Sequence, residues 1–184
     1  MLEIVFLGRG GQGAKTAAQF IAEAAMESGK HVQAFPEYGP ERMGAPVKSF
    51  VRISDKPITT HAPVAKPDIA LVIDPTLIGN VEFSGSMGKN GIIIVNSPKD
   101  SSTIRKDLNF AGKVHTVDAT KISIELIGKN LPNTPILGAL IKIIEVVKMD
   151  DLVQQVKNKF LNKIGEEKTN ANIEAIKQAY KQVK

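Results

Sequence analysis

The stretch Gly8-Arg9-Gly10-Gly11-Gln12-Gly13 lies between a short apolar run and an alanine-rich segment, and it decides the predicted fold. Residues 3–7 predict a buried strand. Residues 14–28 predict a helix, because their polar side chains recur at every fourth position. A turn this rich in glycine between a strand and a helix lets the backbone approach another group closely, most often a phosphate.

Further segments along the chain predict strands that are separated by loops and helices. The predicted strands are residues 31–35, 47–53, 69–73, 92–95 and 114–117, and the predicted helices begin at 74, at 119 and after Pro135. Buried strands separated by helices indicate a mostly parallel sheet. The sequence therefore predicts one domain, residues 1–184, with a three-layer, Rossmann-like α/β fold. Its mostly parallel sheet carries helices on both faces and is followed by a helical C-terminal part.

Polar residues follow several predicted strands, where a parallel α/β sheet binds its ligands. The glycine turn, Asp74, Asn96, Ser97 and Asp118 are expected to share this rim. The two aspartates favour helix caps over acids or bases. Ser97 favours a cap over a nucleophile, because no histidine stands in a recognisable relation to it. Asn96 is a candidate cofactor-binding residue.

The glycine turn matches G-x-G-x-x-G at Gly8, Gly10 and Gly13, in the required context of strand before and helix after. Backbone N–H groups and the positive end of the helix then face an anion, and Gly11 adds a position without a side chain. Arg9 can add a charge-assisted contact, or point to solvent or to a partner subunit. The alternative is a tight turn that needs glycine only for packing.

Two nucleotide-binding patterns fit the same stretch incompletely. A dinucleotide site expects an acid at the end of the second strand, where Glu37 is only an approximate match. A P-loop expects Lys directly after Gly13, but Ala14 intervenes before Lys15. One residue on a helix rotates the side chain by about 100°, away from the phosphates. A free-standing nucleotide-binding module or NTPase stays open as an alternative.

The segment Pro36–Pro46 contains three prolines and two glycines, which exclude a helix or a central strand. It carries a tyrosine, an arginine and two glutamates, and it leads directly into a predicted strand. Long irregular loops in compact domains are usually functional or disordered. We predict an ordered functional loop here.

Several catalytic devices are missing from the sequence. The chain has no cysteine, so it offers no disulfide, no thiolate nucleophile and no cysteine ligand for an iron–sulfur cluster. His31, His61 and His115 are isolated from one another and lack metal-ligand spacing. We predict no catalytic and no metal-ligating residue, and hence a subunit that assists the chemistry of another chain.

Composition sets the class of protein. The 184 residues are 42% apolar and 23% charged, as in ordinary globular proteins, and the net charge is +5. Basic residues are scattered among acids, and only 5% of residues are aromatic, which argues against nucleic-acid binding. No signal peptide and no apolar run of membrane-spanning length is evident, so a cytoplasmic protein without membrane contact is expected.

Two motifs together resemble one protein family. The sequence GRGGQGA at 8–14 and the sequence FPEYGPERMGAPVKSFVRISDKPI at 35–58 resemble the gamma subunit of 2-oxoacid:ferredoxin oxidoreductases. The GPERxGAPV form is more similar to the pyruvate enzymes than to the 2-oxoglutarate ones. The motif positions that the resemblance assigns to cofactor contact are Gly8, Gly10, Gly11, Gln12, Gly13, Tyr38, Gly39, Pro40, Glu41, Arg42 and Gly44.

The resemblance implies a function. Enzymes of this family oxidise a 2-oxoacid, release carbon dioxide, transfer the acyl group to coenzyme A and pass electrons to ferredoxin. Thiamine diphosphate and iron–sulfur clusters belong to partner subunits of alpha, beta and delta type. The gamma subunit is expected to pack against the thiamine-binding subunits and to help hold coenzyme A. A gamma subunit for 2-oxoglutarate or branched-chain 2-oxoacids, and a purely structural docking subunit, are the alternatives within this reading.

The chain departs from the family pattern at one place. Related pyruvate-type sequences often show two adjacent basic residues in the second motif, where this chain has Arg42 followed by Met43. If both charges hold a phosphate of coenzyme A, that contact is halved here. The alternative is that Met43 packs into a subunit interface.

Overall fold

The computed structural model describes residues 1–37, 44–80 and 86–184, and its centre is a six-stranded sheet. The strands lie in the order β2-β3-β1-β4-β5-β6. Their bounds are Leu2–Arg9 (β1), His31–Glu37 (β2), Pro46–Ser54 (β3), Ile69–Val72 (β4), Ile92–Asn96 (β5) and Lys113–Val117 (β6).

The sheet is mostly parallel, as the sequence predicts. Strands β1, β4, β5 and β6 run in the same direction, whereas β3 runs antiparallel to both of its neighbours, β1 and β2. This reversal pairs the last residue of β1 with the first residue of β3, so that Arg9 lies opposite Pro46. The start of β3 therefore lies beside the glycine turn.

Helices cover both faces unevenly. Their bounds are Ala14–Glu27 (α1), Ser101–Asp107 (α2), Ala119–Ile127 (α3), Ile136–Ile144 (α4), Met149–Ile164 (α5) and Glu166–Gln182 (α6), with a 3₁₀ helix at Pro75–Asn80. Helices α1 and α3–α6 share a core with one face, and α2 packs on the other. Within the described ranges, no helix combines the length and apolar character that a membrane crossing requires.

Small side chains let α1 lie close to the sheet. Ala17, Ala24 and Ala25 are fully buried in the core that contains Ile4 and Phe6 of β1. Close packing between small residues and a flat strand face brings many atoms into van der Waals contact, which is how interiors reach crystal-like density. The glycine turn is thus connected on both sides to rigid elements.

Aspartate side chains cap the first turn of three helical segments, which are the 3₁₀ helix, α2 and α3. Asp118 accepts a hydrogen bond from the N–H of Lys121 (2.9 Å), which confirms the predicted cap. Asp100 caps α2 in the same way through Thr103. Helix α2 was not predicted from the sequence, because Ile104 is its only buried residue and no apolar stripe marks it.

A buried arginine lies on the face opposite α1. Arg52 is 2% exposed and forms an ion pair with Glu3, with 2.8 Å between Nε and Oε1. Its guanidinium also donates to Gln33 Oε1 (3.2 Å) and to the carbonyl of Ala62 (2.6 Å). The guanidinium lies 5.4 Å from the ring centroid of Phe35. These contacts connect three adjacent strands and the segment that follows β3.

Candidate functional site

The carboxyl ends of four parallel strands form one rim of the sheet. Arg9 ends β1, Asp74 follows β4, Asn96 ends β5 and Asp118 follows β6. The four strands lie side by side in that order, so the polar residues predicted to share a rim do share one. In open α/β sheets this is the edge where ligands bind.

The backbone of the glycine turn requires glycine at two positions. Gly11 has φ of 94° and Gly13 has φ of 79°, in the region that residues with side chains rarely adopt. Gly13 directly precedes α1, and no side chain caps the start of that helix. Among the described residues, the N–H groups of Gly11 and Gly13 have no acceptor. N–H groups without an acceptor at the start of a helix are available to donate to an anion.

Gly13 is also required by space. A Cβ at this position would lie 2.5 Å from Nδ2 of Asn133 and 2.9 Å from its Cγ. The glycine therefore serves packing as well as backbone conformation, and its contact with a phosphate stays a prediction. Asn133 was not identified from the sequence, because nothing in the local pattern reveals a contact made only after folding.

Gln12 ties the turn to the end of β4. Its Oε1 accepts the N–H of Arg9 at 2.7 Å, and its Nε2 donates to Oδ2 of Asp74 at 2.6 Å. The orientation of the amide is fixed by its neighbours, since a backbone N–H must face the oxygen and a carboxylate must face the nitrogen. Gln12 thus connects two adjacent strands.

Asp74 is a buried carboxylate with a full set of donors. Its residue is 7% exposed, and Oδ1 accepts from the N–H (2.9 Å) and Oγ1 (2.6 Å) of Thr76. Burial acts to raise the pKa of Asp74, but hydrogen bonds from Thr76 and Gln12 and the charge of Arg9 outweigh it and lower that pKa. The carboxylate is ionised near neutral pH and is not an acid–base group there.

Arg9 uses its guanidinium within the chain. Nε and Nη2 donate to Oγ1 of Thr76 at 3.2 and 2.9 Å, and Nη1 donates to the carbonyl of Gly44 at 3.1 Å. Nε also lies 3.4 Å from Oδ2 of Asp74. Thr76 was not identified from the sequence, although aspartate side chains commonly accept the N–H of the residue two positions later.

The two motifs lie against each other. The N–H of Gly10 donates to the carbonyl of Ala45 (2.9 Å), and the N–H of Gly44 donates to the carbonyl of Gly10 (3.3 Å). Gly44 therefore lies beside the glycine turn. The predicted site residues Tyr38, Gly39, Pro40, Glu41 and Arg42, together with Met43, lie outside the described residues.

Asn96 lies at the floor of the rim with its amide fully engaged. It is 2% exposed, and its Nδ2 donates to the carbonyl of Ile73 (2.9 Å) and to Oγ1 of Thr120 (2.8 Å). Its Oδ1 accepts the N–H of Thr120 at 3.1 Å. These bonds hold the segment after β4 to the start of α3. The contact of Asn96 with a cofactor stays a prediction.

The described part of the rim offers hydrogen-bond donors to a ligand. In the part of the chain that the structure describes, no group of three or more His, Asp or Glu side chains is arranged to hold a metal ion. The ionisable pair at the turn, Arg9 and Asp74, is mutually engaged. Within the described part of the turn, the donors that remain are the N–H groups of Gly11 and Gly13.

The protein is an α/β protein whose glycine turn contacts the second motif at the start of the reversed strand β3, and comparison with known proteins assigns the family. The chain belongs to the pyruvate ferredoxin/flavodoxin oxidoreductase family, whose model matches residues 3–182. It is 44% identical to the pyruvate synthase subunit PorC of Thermotoga maritima over 182 residues, 99% of this chain and 94% of that protein. It is also 44% identical to the pyruvate/ketoisovalerate oxidoreductases common subunit gamma of Thermococcus kodakarensis, over 95% of each chain.

Solved structures agree with this assignment. The crystal structure of the Thermotoga maritima pyruvate oxidoreductase subunit has a TM-score of 0.88 and 42% identity, covering 100% of this chain and 97% of that one. A 2-oxoglutarate:ferredoxin oxidoreductase from Magnetococcus marinus, solved with coenzyme A bound, has a TM-score of 0.81 at 20% identity. It covers 97% of this chain and 30% of that chain, and it shows the fold alone. The resemblance drawn from the two motifs is confirmed.

Proposed function

We propose that this chain is the gamma subunit of a multi-subunit pyruvate:ferredoxin oxidoreductase, or pyruvate synthase. The complex converts pyruvate and coenzyme A to acetyl-CoA and carbon dioxide and passes two electrons to ferredoxin. The observation that carries the proposal is the match to PorC and gamma subunits over nearly the full length of both chains. The contact between the two motifs at one rim supports it.

The role of this chain is to contact coenzyme A and the thiamine-binding subunits. The N–H groups of Gly11 and Gly13 and the positive end of α1 suit the pyrophosphate of coenzyme A. Arg42 supplies a positive charge for a phosphate. The residues offered for this contact are the glycine turn 8–13, Tyr38, Gly39, Pro40, Glu41, Arg42 and Gly44, with Asn96 at the floor of the rim.

The bond-making groups are assigned to partner subunits of alpha, beta and delta type. The iron–sulfur clusters belong there, because this chain contains no cysteine to ligate a cluster. The family resemblance implies that thiamine diphosphate belongs there as well. The gamma subunit then acts by positioning one substrate against a cofactor held by its neighbours. Holding a reactant in place is itself a large contribution to rate.

Reconstitution of the complex tests this function. We expect the enzyme assembled without this chain to lose most acetyl-CoA formation, and Arg42→Ala to raise the KM for coenzyme A without changing the KM for pyruvate. Arg105→Ala on α2, remote in sequence from both motifs, is the matched control and should change neither constant. Undiminished acetyl-CoA formation without this chain would refute the proposal. An unchanged KM in Arg42→Ala would favour a purely structural docking subunit.

A second candidate is a gamma subunit shared by two enzymes. The Thermococcus kodakarensis relative is named as common to pyruvate and ketoisovalerate oxidoreductases, and its identity to this chain, 44%, equals that of PorC from Thermotoga maritima. Affinity purification with this chain as bait distinguishes the two cases. Two sets of partner subunits, with activity on pyruvate and on a branched-chain 2-oxoacid, would support sharing; a single set with activity on one substrate would exclude it.

A further inference from the structure

We propose that Asp74 is a positioning residue. Through Gln12 and Arg9, it holds the two motifs of the site in their positions relative to each other. The inference rests on the proposed function for its link to coenzyme A, but its structural part does not. Asp74 lies outside both motifs in the sequence, after a different strand. It nevertheless contacts side chains from the first motif directly.

Both carboxylate oxygens of Asp74 are already engaged by partners within the chain, so neither is free to bind a ligand. Oδ1 accepts two hydrogen bonds from Thr76, and Oδ2 accepts one from Gln12 at 2.6 Å and lies 3.4 Å from Nε of Arg9. A carboxylate with these partners is fixed in orientation by charge-assisted bonds. Its effect on any bound molecule is therefore transmitted through the residues that it holds.

One route of transmission runs through Gln12. The amide that Asp74 fixes also accepts the backbone N–H of Arg9, at the end of β1. This bond bends the residues between Arg9 and Gln12 into the turn, together with the bond from the N–H of Gln12 to the carbonyl of Arg9 at 3.0 Å. The orientation of the Gly11 and Gly13 N–H groups depends on that turn.

The other route runs through Arg9. Asp74 and Thr76 hold the Nε side of the guanidinium, while Nη1 donates to the carbonyl of Gly44 in the second motif. The arginine therefore links the segment after β4 to Gly44 of the second motif. Because Asp74 neutralises Arg9, the arginine is a link between motifs, and the backbone N–H groups are left as the donors to an anion.

One substitution separates this positioning role from the capping role of the same residue. In Asp74→Asn, Oδ1 still accepts both bonds from Thr76, so the start of the 3₁₀ helix is kept. The new NH₂ group then faces Nε2 of Gln12 and Nε of Arg9, and three donors meet without an acceptor. The link to both motifs is broken while the cap is preserved.

A compensating change restores the link. In the double variant Asp74→Asn with Gln12→Glu, one oxygen of Glu at 12 accepts the N–H of Arg9 and the other accepts Nδ2 of Asn at 74. The net charge of the pair is that of the original protein, and a carboxylate again lies beside Arg9. Asp100→Asn is the matched control, because Asp100 also accepts from a threonine N–H and from hydroxyl groups at a helix start, but it has no bond to either motif.

In the reconstituted complex, we expect Asp74→Asn to raise the KM for coenzyme A about tenfold, which is the order expected for a broken charge-assisted hydrogen bond. The KM for pyruvate should not change. The double variant should return the KM for coenzyme A to within about threefold of the original, and Asp100→Asn should leave it unchanged. An equal rise in Asp100→Asn, or no rescue by the double variant, would overturn the inference.

Amide hydrogen exchange on the full-length chain without coenzyme A tests the positioning role of Asp74 separately from the proposed coenzyme A contact. Asp74→Asn should speed exchange at the N–H groups of Gly10 and Gly44, which bridge the motifs, and the double variant should slow it again. Unchanged exchange at both positions would overturn the positioning role. Faster and rescued exchange with an unchanged KM for coenzyme A would uphold the positioning role and refute the proposed coenzyme A contact.

Discussion

The carbonyl oxygen of Ile176 lies 1.9 Å from the position that a Cβ on Gly138 would occupy. The same position lies 2.9 Å from the backbone nitrogen of Tyr180. Helices α4 and α6 therefore cross with their backbones in direct contact, which only the absence of a side chain at residue 138 permits. The C-terminal helical layer is built around this crossing.

Replacing Gly138 by alanine should destabilise the protein by at least about 2 kcal/mol, since the obstructing atoms are backbone and cannot rotate away. Chemical denaturation of the purified chain would measure the change. Gly79→Ala is the matched control, because a Cβ there meets nothing within 4 Å, and its effect should stay within about 0.5 kcal/mol. Equal stability of the two variants would contradict the close crossing.

Gly13 and Gly11 allow backbone strain to be separated from crowding. Both have positive φ, but a Cβ on Gly11 meets nothing within 4 Å, whereas one on Gly13 meets Asn133. Gly11→Ala should cost about 1 kcal/mol from strain alone, and Gly13→Ala about 3 kcal/mol. Adding Asn133→Ala should recover part of the second loss, as a double-mutant cycle measured by thermal unfolding would show. Additive effects of the two changes would argue against the contact.

The ion pairs of Arg52 and Lys177 have the same nitrogen–oxygen distance, but the first is buried and the second is exposed. Arg52–Glu3 and Lys177–Glu174 both have 2.8 Å between nitrogen and oxygen. Arg52→Met should cost about 2–4 kcal/mol, because it leaves Glu3 and the carbonyl of Ala62 without their partner. Lys177→Met should cost at most about 0.5 kcal/mol. Urea denaturation of both variants measures the two losses in the free energy of unfolding. Similar losses would mean that burial and the additional bonds of Arg52 do not stabilise the fold.

The pH dependence of stability should reveal the paired state of Asp74. Its pKa is lowered in the folded chain, so it stabilises the fold above the ordinary aspartate value of about 3.9, and this contribution is lost as pH falls through the folded pKa. The stability difference between the original protein and Asp74→Asn should therefore be largest above pH ~4 and shrink below it. Denaturant titrations between pH ~7 and ~2.5 would show this. A stability difference that does not vary with pH would contradict a lowered pKa of Asp74 in the folded chain.

Local sequence signals predicted most of the strands and helices. The apolar runs 69–72 and 92–95 predicted their strands directly, because a strand that is buried on both faces is apolar along most of its length. Helix α2 was missed for the converse reason, since a short helix with one buried residue leaves no periodic pattern. The reversed direction of β3 was not predicted, because alternation along a strand is the same in either direction.

The candidate site was predictable in position but not in its internal bonds. Strand ends identified the rim, and the motif pattern identified Gly8–Gly13. The contact between Gln12 and Asp74 joins residues that lie 62 positions apart, and no local pattern carries that information. Arg9 had three open interpretations, and only the folded chain shows its guanidinium between Thr76 and Gly44.

The antiparallel direction of β3 also means that β2, β3 and the second motif form one contiguous block of the chain at the edge of the sheet. Strands β2 and β3 pair with each other, and within the sheet they contact the remaining strands only through the β1–β3 border. The second motif enters and leaves through this antiparallel pair. Because Arg52 bonds to Glu3 and to the carbonyl of Ala62, we expect an exchange of the second motif between family members to succeed when it carries residues 31–62 as one block into a chain that keeps Glu3.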